Sequence, residues 1–186
     1  MFKFEDVTLV TLPNEVLRKK SDNVPLPLTK EDDLLIQKMM FHVQNSQEKD
    51  TKFQPAVGVA AVQYGILKNI FYILVKDENE NIIFDDALVN PKMKGHSDSK
   101  AALGEGEGCL SVDQNILHQE GYVPRYSRVI IEAYSYKEKK IKTFDVINYV
   151  AIVMQHEYDH LQGKLFIDHI DKKEPWHLPK NTEVLE

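Results

Sequence analysis

Leu35, Met39 and Val43 recur every fourth residue among polar neighbours, with Ile36 and Met40 beside them. That period is helical and predicts an amphipathic helix, with the methionines as core filler. Thr29-Lys30-Glu31-Asp32 is a capping-box-like start, and the pattern carries to about Gln44. Residues 70–75 are apolar throughout and predict a buried strand; residues 82–90 predict a second, across the turn-rich 77–81, with Pro91 as its end. Residues 128–136 alternate, placing Val129, Ile131 and Ala133 on one face. Residues 140–146 are the expected hairpin partner, joined through Lys137-Glu138-Lys139. The last strong signal is residues 150–154, apolar on every side, which predict a buried helix. Asn148 is its expected N-cap and Gly163 its C-terminal cap.

The rest is weaker in pattern. Residues 7–24 read as an arm with one short helix after Pro13, and residues 47–54 as a surface loop. Residues 56–63 are small and apolar up to Gln63, which by themselves predict a tightly packed core turn. Residues 98–106 read as loop, residues 165–167 as a short apolar segment, and the chain from Lys172, with Pro175 and Pro179, as an irregular tail. Hairpins mixed with few helices predict an α+β fold: antiparallel strands packed around one buried central helix, as a single domain over residues 1–186.

The buried helix changes character abruptly. After Met154 comes Gln155-His156-Glu157-Tyr158-Asp159-His160, an H-E-x-x-H pattern. Residues four apart share a helix face, so His156 and His160 can aim at one metal ion, with Glu157 placed to take a proton from a water there. A solvated helix with two ordinary histidines has the same letters, but burial would leave its polar groups in need of partners. A catalytic metal needs a third protein ligand. The metzincin continuation puts Gly163 in place but Phe166 where a ligand belongs, and phenylalanine cannot bind a metal. Glu174 and Glu183 would serve a zincin-type peptidase, from a Pro-interrupted tail. Upstream, Gly104-Glu105-Gly106-Glu107-Gly108-Cys109-Leu110-Ser111 sets the sole cysteine in a glycine-defined turn, and a thiolate with two imidazoles suits zinc or ferrous iron. His42, His96, His118, His169 and His177 have no usable partner spacing and read as ordinary.

Three stretches in this order, residues 58–63, Glu107-Gly108-Cys109-Leu110-Ser111 and Gln155 to His160, resemble the motifs of peptide deformylases. The likeness runs in character from Leu17-Arg18 to Ile170, and the spacing around residues 47–54 is similar to the longer bacterial class. Ala56 stands where the family usually has its first Gly, and Val62 where Pro is common; were positive φ required at 56, alanine would cost about 1 kcal/mol. The resemblance implies release of formate from the N-terminal formyl-methionine of new polypeptides. It implies Cys109, His156 and His160 as metal ligands, Glu157 as general base and acid, and Gln63 with the Leu110 N–H as donors to the formyl oxygen. By position in the motifs, Val57, Gly58, Val59, Gly108, Tyr149, Ile152 and Val153 are the expected substrate contacts, and Glu107 with Arg125 a pair that steadies the Cys109 turn. The implied working metal is Fe2+, with Zn2+, Ni2+ or Co2+ in a purified sample.

A single cysteine excludes an internal disulfide, and the charged first residues carry no secretory apolar stretch, so the expected location is the cytoplasm. A formal charge of -6 gives no footprint for a nucleic-acid sequence, and no stretch has the length of a membrane span. The expected partners are formyl-methionyl nascent peptides and, transiently, the ribosome, with the chain a monomer. A closed structural metal site is the non-catalytic rival; it needs four protein ligands, and the sequence offers three.

Overall fold

The computed structural model describes residues 2–113 and 119–186; His118 lies outside them. The first helix, α1 (Lys30–Ser46), begins as its sequence predicts. Thr29 Oγ1 accepts from the Asp32 N–H at 3.2 Å, and Asp32 returns the bond to the Thr29 N–H at 3.0 Å. Leu35, Ile36, Met39 and Val43 are buried. Residues 56–63 are more than a turn: strand β1 (Gly58–Ala60) runs into a 3-10 turn at Ala61–Tyr64. Ala56 is not at positive φ, so alanine there carries no strain of that kind.

Strand β2 (Ile70–Lys76) sits where the apolar run predicts. Strand β3 (Ile82–His96) does not end at Pro91. The register slips between Val89 and Lys92, so the proline sits in a bulge, where its missing N–H breaks no ladder bond. Asn90 there adopts φ +53°, and its side chain both accepts from and donates to the Val24 backbone at 2.7 Å. Residues 98–106 are not all loop: β4 (Lys100–Leu103) pairs with β5 (Arg125–Tyr126). The hairpin of β6 (Arg128–Ser135) and β7 (Lys140–Ile147) follows as expected.

Helix α2 (Asn148–Leu161) corrects one expectation. Asn148 is its first residue, at φ +52°, not its cap, and no side chain caps the preceding Ile147 position. Asparagine tolerates this backbone, and its N–H is satisfied by the Ser127 carbonyl at 2.7 Å. The other end closes on Gly163, at φ +72°: Gly163 donates to the His160 carbonyl and Lys164 to that of Asp159, at 3.2 and 3.0 Å. A Cβ on Gly163 would lie 2.5 Å from the Arg18 carbonyl oxygen. The tail is not irregular throughout, because β8 (Thr182–Leu185) pairs in parallel with β4.

Among the described residues two sheets result, ordered β1-β2-β3-β6-β7 and β5-β4-β8. Neighbours in the larger one are all antiparallel. Strand alternation splits β2 between two cores. Ile70, Tyr72 and Leu74 pack with α1; Phe71, Ile73 and Val75 pack with α2. Both faces of β2 are covered, which is why its sequence shows no polar alternation. Helix α2 also touches β4 and β5 of the smaller sheet, so it is central and buried.

Candidate metal centre and cleft

The buried setting of α2 decides what its polar residues do. Gln155 is 7% exposed, Glu157 3% and His160 1%. Gln155 holds the Tyr126 backbone from both ends of its amide, at 3.0 and 2.8 Å, which ties α2 to β5. Asp159 accepts from Arg125 and from His169 Nε2, each at 2.8 Å, and neither metal-directed imidazole is its partner. His169, which the sequence reads as ordinary, pairs with Asp159 in the structure. His156 and His160 lie on one face, and the turn after β4 brings Cys109 to them. The ligand atoms of Cys109, His156 and His160 all fall within 4.8 Å of one another, the one such group among the described residues. Cys109 Sγ is 3.3 Å from His160 Nε2. Glu174 and Glu183 are not brought to this point; Glu183 is on β8, opposite Ala101, and Phe166 stacks beside His156 with ring centroids 6.1 Å apart.

Glu107 and Arg125 form the expected pair, and both are buried. Two hydrogen bonds of 2.5 and 2.9 Å join them, and Glu107 Oε2 also meets His156 Nδ1 at 2.7 Å. Burial alone would raise the Glu107 pKa, but Arg125 and His156 outweigh it and hold it down at about 2. The pair is thus ionised, fixes the His156 ring and leaves Nε2 toward the cysteine. Glu157 is the opposite case. Burial, with the Glu107 charge adding to it, pushes its pKa up to about 7 against the pull of His156 and Arg125. Its Oε2 is buried without a partner, as is His160 Nδ1. A soft thiolate, two imidazoles and an adjacent unpaired carboxyl fit a divalent metal with room for a reactant, and three protein ligands do not close a structural site.

A cavity of about 970 Å³ opens on this point. Of the residues expected as substrate contacts, Val57, Gly58, Gly108, Tyr149, Ile152 and Val153 line it, together with Gln63, Cys109, Leu110, His156 and Glu157. Val59 is the exception. Strand alternation turns its side chain, wholly buried, into the α1 core. Gly58 is needed as glycine: a Cβ there would sit 2.6 Å from Glu157 Oε1. Gln63 is buried, and its Oε1 accepts from the Ala60 N–H at 2.9 Å. Thr11 and Leu12 also line the cavity, and Ser111 lies behind it bonded to Gln63. Thr11 and Leu12 carried no sequence signal, because long-range contacts alone bring the arm to the two turns; Ser111 closes the Cys109 motif but was given no role of its own.

A buried carboxyl beside a convergent Cys/His2 set, on an α+β frame with a deep cleft, marks the class of metal-dependent hydrolases. Comparison narrows it. The profile of the Polypeptide deformylase family matches residues 7–176. A peptide deformylase of Mycoplasmopsis pulmonis is 47% identical over 190 residues, covering 95% of this chain and 94% of that protein. One from Limosilactobacillus reuteri is 40% identical over 193 residues, covering 100% of both. Among solved structures, the peptide deformylase of Ehrlichia chaffeensis superposes with a TM-score of 0.75 at 26% identity, over 91% of this chain and 90% of that one. The chain belongs to the peptide deformylase family, enzymes that remove the formyl group from the N-terminal methionine of new polypeptides.

Proposed function

We propose that in this deformylase Cys109, His156 and His160 hold the divalent metal and Glu157 moves the protons. When bound there, the metal supplies a Lewis acid that polarises the formyl carbonyl and makes water a nucleophile near neutral pH. Glu157 takes the proton of the attacking water and delivers it to the leaving amine, since an amide anion is too unstable to depart. A carboxyl with a pKa of about 7 is matched to giving and taking a proton at neutral pH. Gln63 Nε2–H and the Leu110 N–H donate to the oxygen on which charge develops. Glu107, held by Arg125, keeps His156 in the orientation and tautomer a ligand needs.

Strand β1 is at the edge of its sheet, paired among the described residues only with β2. The peptide lies along that free edge as an added strand, near Gly58 and Gly108, where the absence of side chains permits close approach. Val59 contributes through its backbone alone. The methionine side chain enters the apolar part of the cleft formed by Val57, Tyr149, Ile152 and Val153. Fe2+ is the working metal in the cell, and Zn2+, Ni2+ or Co2+ occupies the same ligands in a purified sample, because a Cys/His2 set does not select strongly among them. Residues 1–186 form one deformylase domain of the longer bacterial class, monomeric and cytoplasmic, meeting nascent chains at the ribosome. No helix among the described residues is long and apolar enough to cross a membrane.

The observation that carries the reading is the buried Glu157 carboxyl, whose Oε2 has no partner among the described residues, beside three convergent ligand atoms. The test is formate release from a short formyl-methionyl peptide by anaerobic, Fe2+-loaded protein. We expect turnover that needs the metal and falls about a thousandfold in Glu157→Ala. Metal-loaded protein that releases no formate overturns the reading. Cys109→Ala separates it from a zincin-type peptidase with a downstream ligand: metal kept at full occupancy after that change would favour the peptidase.

A further inference from the structure

Gln63 is 2% exposed, so both ends of its carboxamide must find partners inside the protein. The Ala60 N–H donates to Oε1 at 2.9 Å, which fixes which end is oxygen. Nε2 then has two protons to place. One goes to Ser111 Oγ at 3.1 Å. That leaves the second for the cavity side, where Cys109 Sγ lies 3.7 Å from the nitrogen. Ser111 is wholly buried and is held at every polar group of its backbone. Its N–H donates to Cys109 Sγ at 3.4 Å, and its carbonyl accepts from the Leu12 N–H at 2.9 Å. Two residues earlier, the Val10 N–H donates to the Gln63 carbonyl at 2.8 Å. Residues 10–12 therefore strap the Gln63 turn and the Cys109 turn to each other.

From this geometry we infer that Ser111 is a positioning residue: its hydroxyl occupies one proton of the Gln63 amide and so aims the other at the formyl oxygen of the substrate. The inference rests on the role of Gln63 proposed here. A donor stabilises developing charge best when it is already aimed and need not reorient during the reaction. Without the hydroxyl, the amide is held only by the Ala60 N–H at Oε1 and the 3.7 Å contact of Nε2 with Cys109 Sγ, and the buried proton is left to compete for the same acceptor as its twin. A residue that merely filled space behind the cleft would change stability and leave the direction of the amide alone.

A double-mutant cycle separates the two. The cycle uses Ser111→Ala, Gln63→Ala and the pair, with kcat and KM measured on a formyl-methionyl peptide, alongside metal content and the thermal midpoint. We expect Ser111→Ala to lower kcat about tenfold, the worth of one hydrogen bond, with KM within about twofold and metal retained. In the Gln63→Ala background, loss of the hydroxyl leaves kcat where it was, because Ser111 acts through the missing amide. The same tenfold loss in both backgrounds overturns the inference and leaves the Gln63 role standing. A Gln63→Ala enzyme with unimpaired kcat removes that role and the inference with it. If the alanine variant does not fold, Ser111→Cys, which leaves no cavity and weakens the acceptor, carries the same cycle.

Discussion

Helices α1 and α2 pack on opposite faces of one sheet and treat polar residues in opposite ways. On α1 the apolar side chains face in and most charges face water, with a capped first turn and acidic residues where the helix dipole favours them. On α2 the order is reversed along its second half: Gln155, Glu157 and His160 are buried beside Met154 and Leu161, and nothing caps its start. The first helix is built by pattern and contributes stability. The second is held by its neighbours, and its inward polar groups are what a buried site costs. Each of them has a partner or a chemical use. Gln155 holds β5, and Asp159 holds Arg125 and His169. The imidazoles meet Cys109, and Glu157 keeps an oxygen free.

The contrast can be broken from either side. Met39→Ala, which hollows the α1 core, is expected to lower stability by about 3 kcal/mol while kcat stays near the native value; urea unfolding and formate release measure the two together. Gly58→Ala works the other way. The added carbon would lie 2.6 Å from the Glu157 carboxyl and must displace it, so kcat should fall about a hundredfold with a much smaller change in the urea midpoint. Equal losses of stability from both changes would remove the distinction between the helices.

His42 sharpens the comparison, because it is the inward-facing imidazole of α1. It meets the Tyr64 hydroxyl at 2.8 Å through Nδ1, and burial lowers its pKa to about 4. Between that value and the ordinary 6.5 the unfolded chain binds a proton that the fold does not. Stability from His42 is therefore complete above pH 6.5 and is lost as pH falls toward 4. At about pH 5 the loss relative to about pH 7.5 is roughly 2 kcal/mol, seen as a pH-dependent urea midpoint that His42→Gln flattens. The smallest effect belongs to the cap: Thr29→Ala should cost about 1 kcal/mol with catalysis untouched, read from the same denaturation curve.

Legibility followed the range of the interactions. The capping box of Thr29, the strand at Ile70–Lys76, the hairpin of β6 and β7 and the αL glycine at Gly163 were all readable, because each is decided by neighbours in sequence. Strand β3 ran past Pro91 because a bulge removes the proline's penalty, and a bulge is set by the partner strand. Strands β4 and β8 were missed since each is four residues long and their parallel pairing joins positions about eighty apart. Asn148 read as a cap by residue type, yet its backbone adopts a left-handed start and its N–H is bonded to the Ser127 carbonyl. Val59 was a question of alternation phase, which turns on which face of β1 meets α1.

By itself the sequence determined the chemistry on offer: a thiol among glycines, two imidazoles four apart, a glutamate between them and a glutamine after a run of small residues. It also determined that the histidines share a face, since helical period is a local property. Only the tertiary structure decided that Cys109 and neither Glu174 nor Glu183 joins them. Burial in that structure, with Arg125 against Glu107 and no partner for Glu157 Oε2, sends one carboxyl pKa to about 2 and the other to about 7. The two glutamates are the same residue type fifty positions apart. Their difference is the distance to a guanidinium in a low-dielectric interior, a quantity that exists only once the chain has folded.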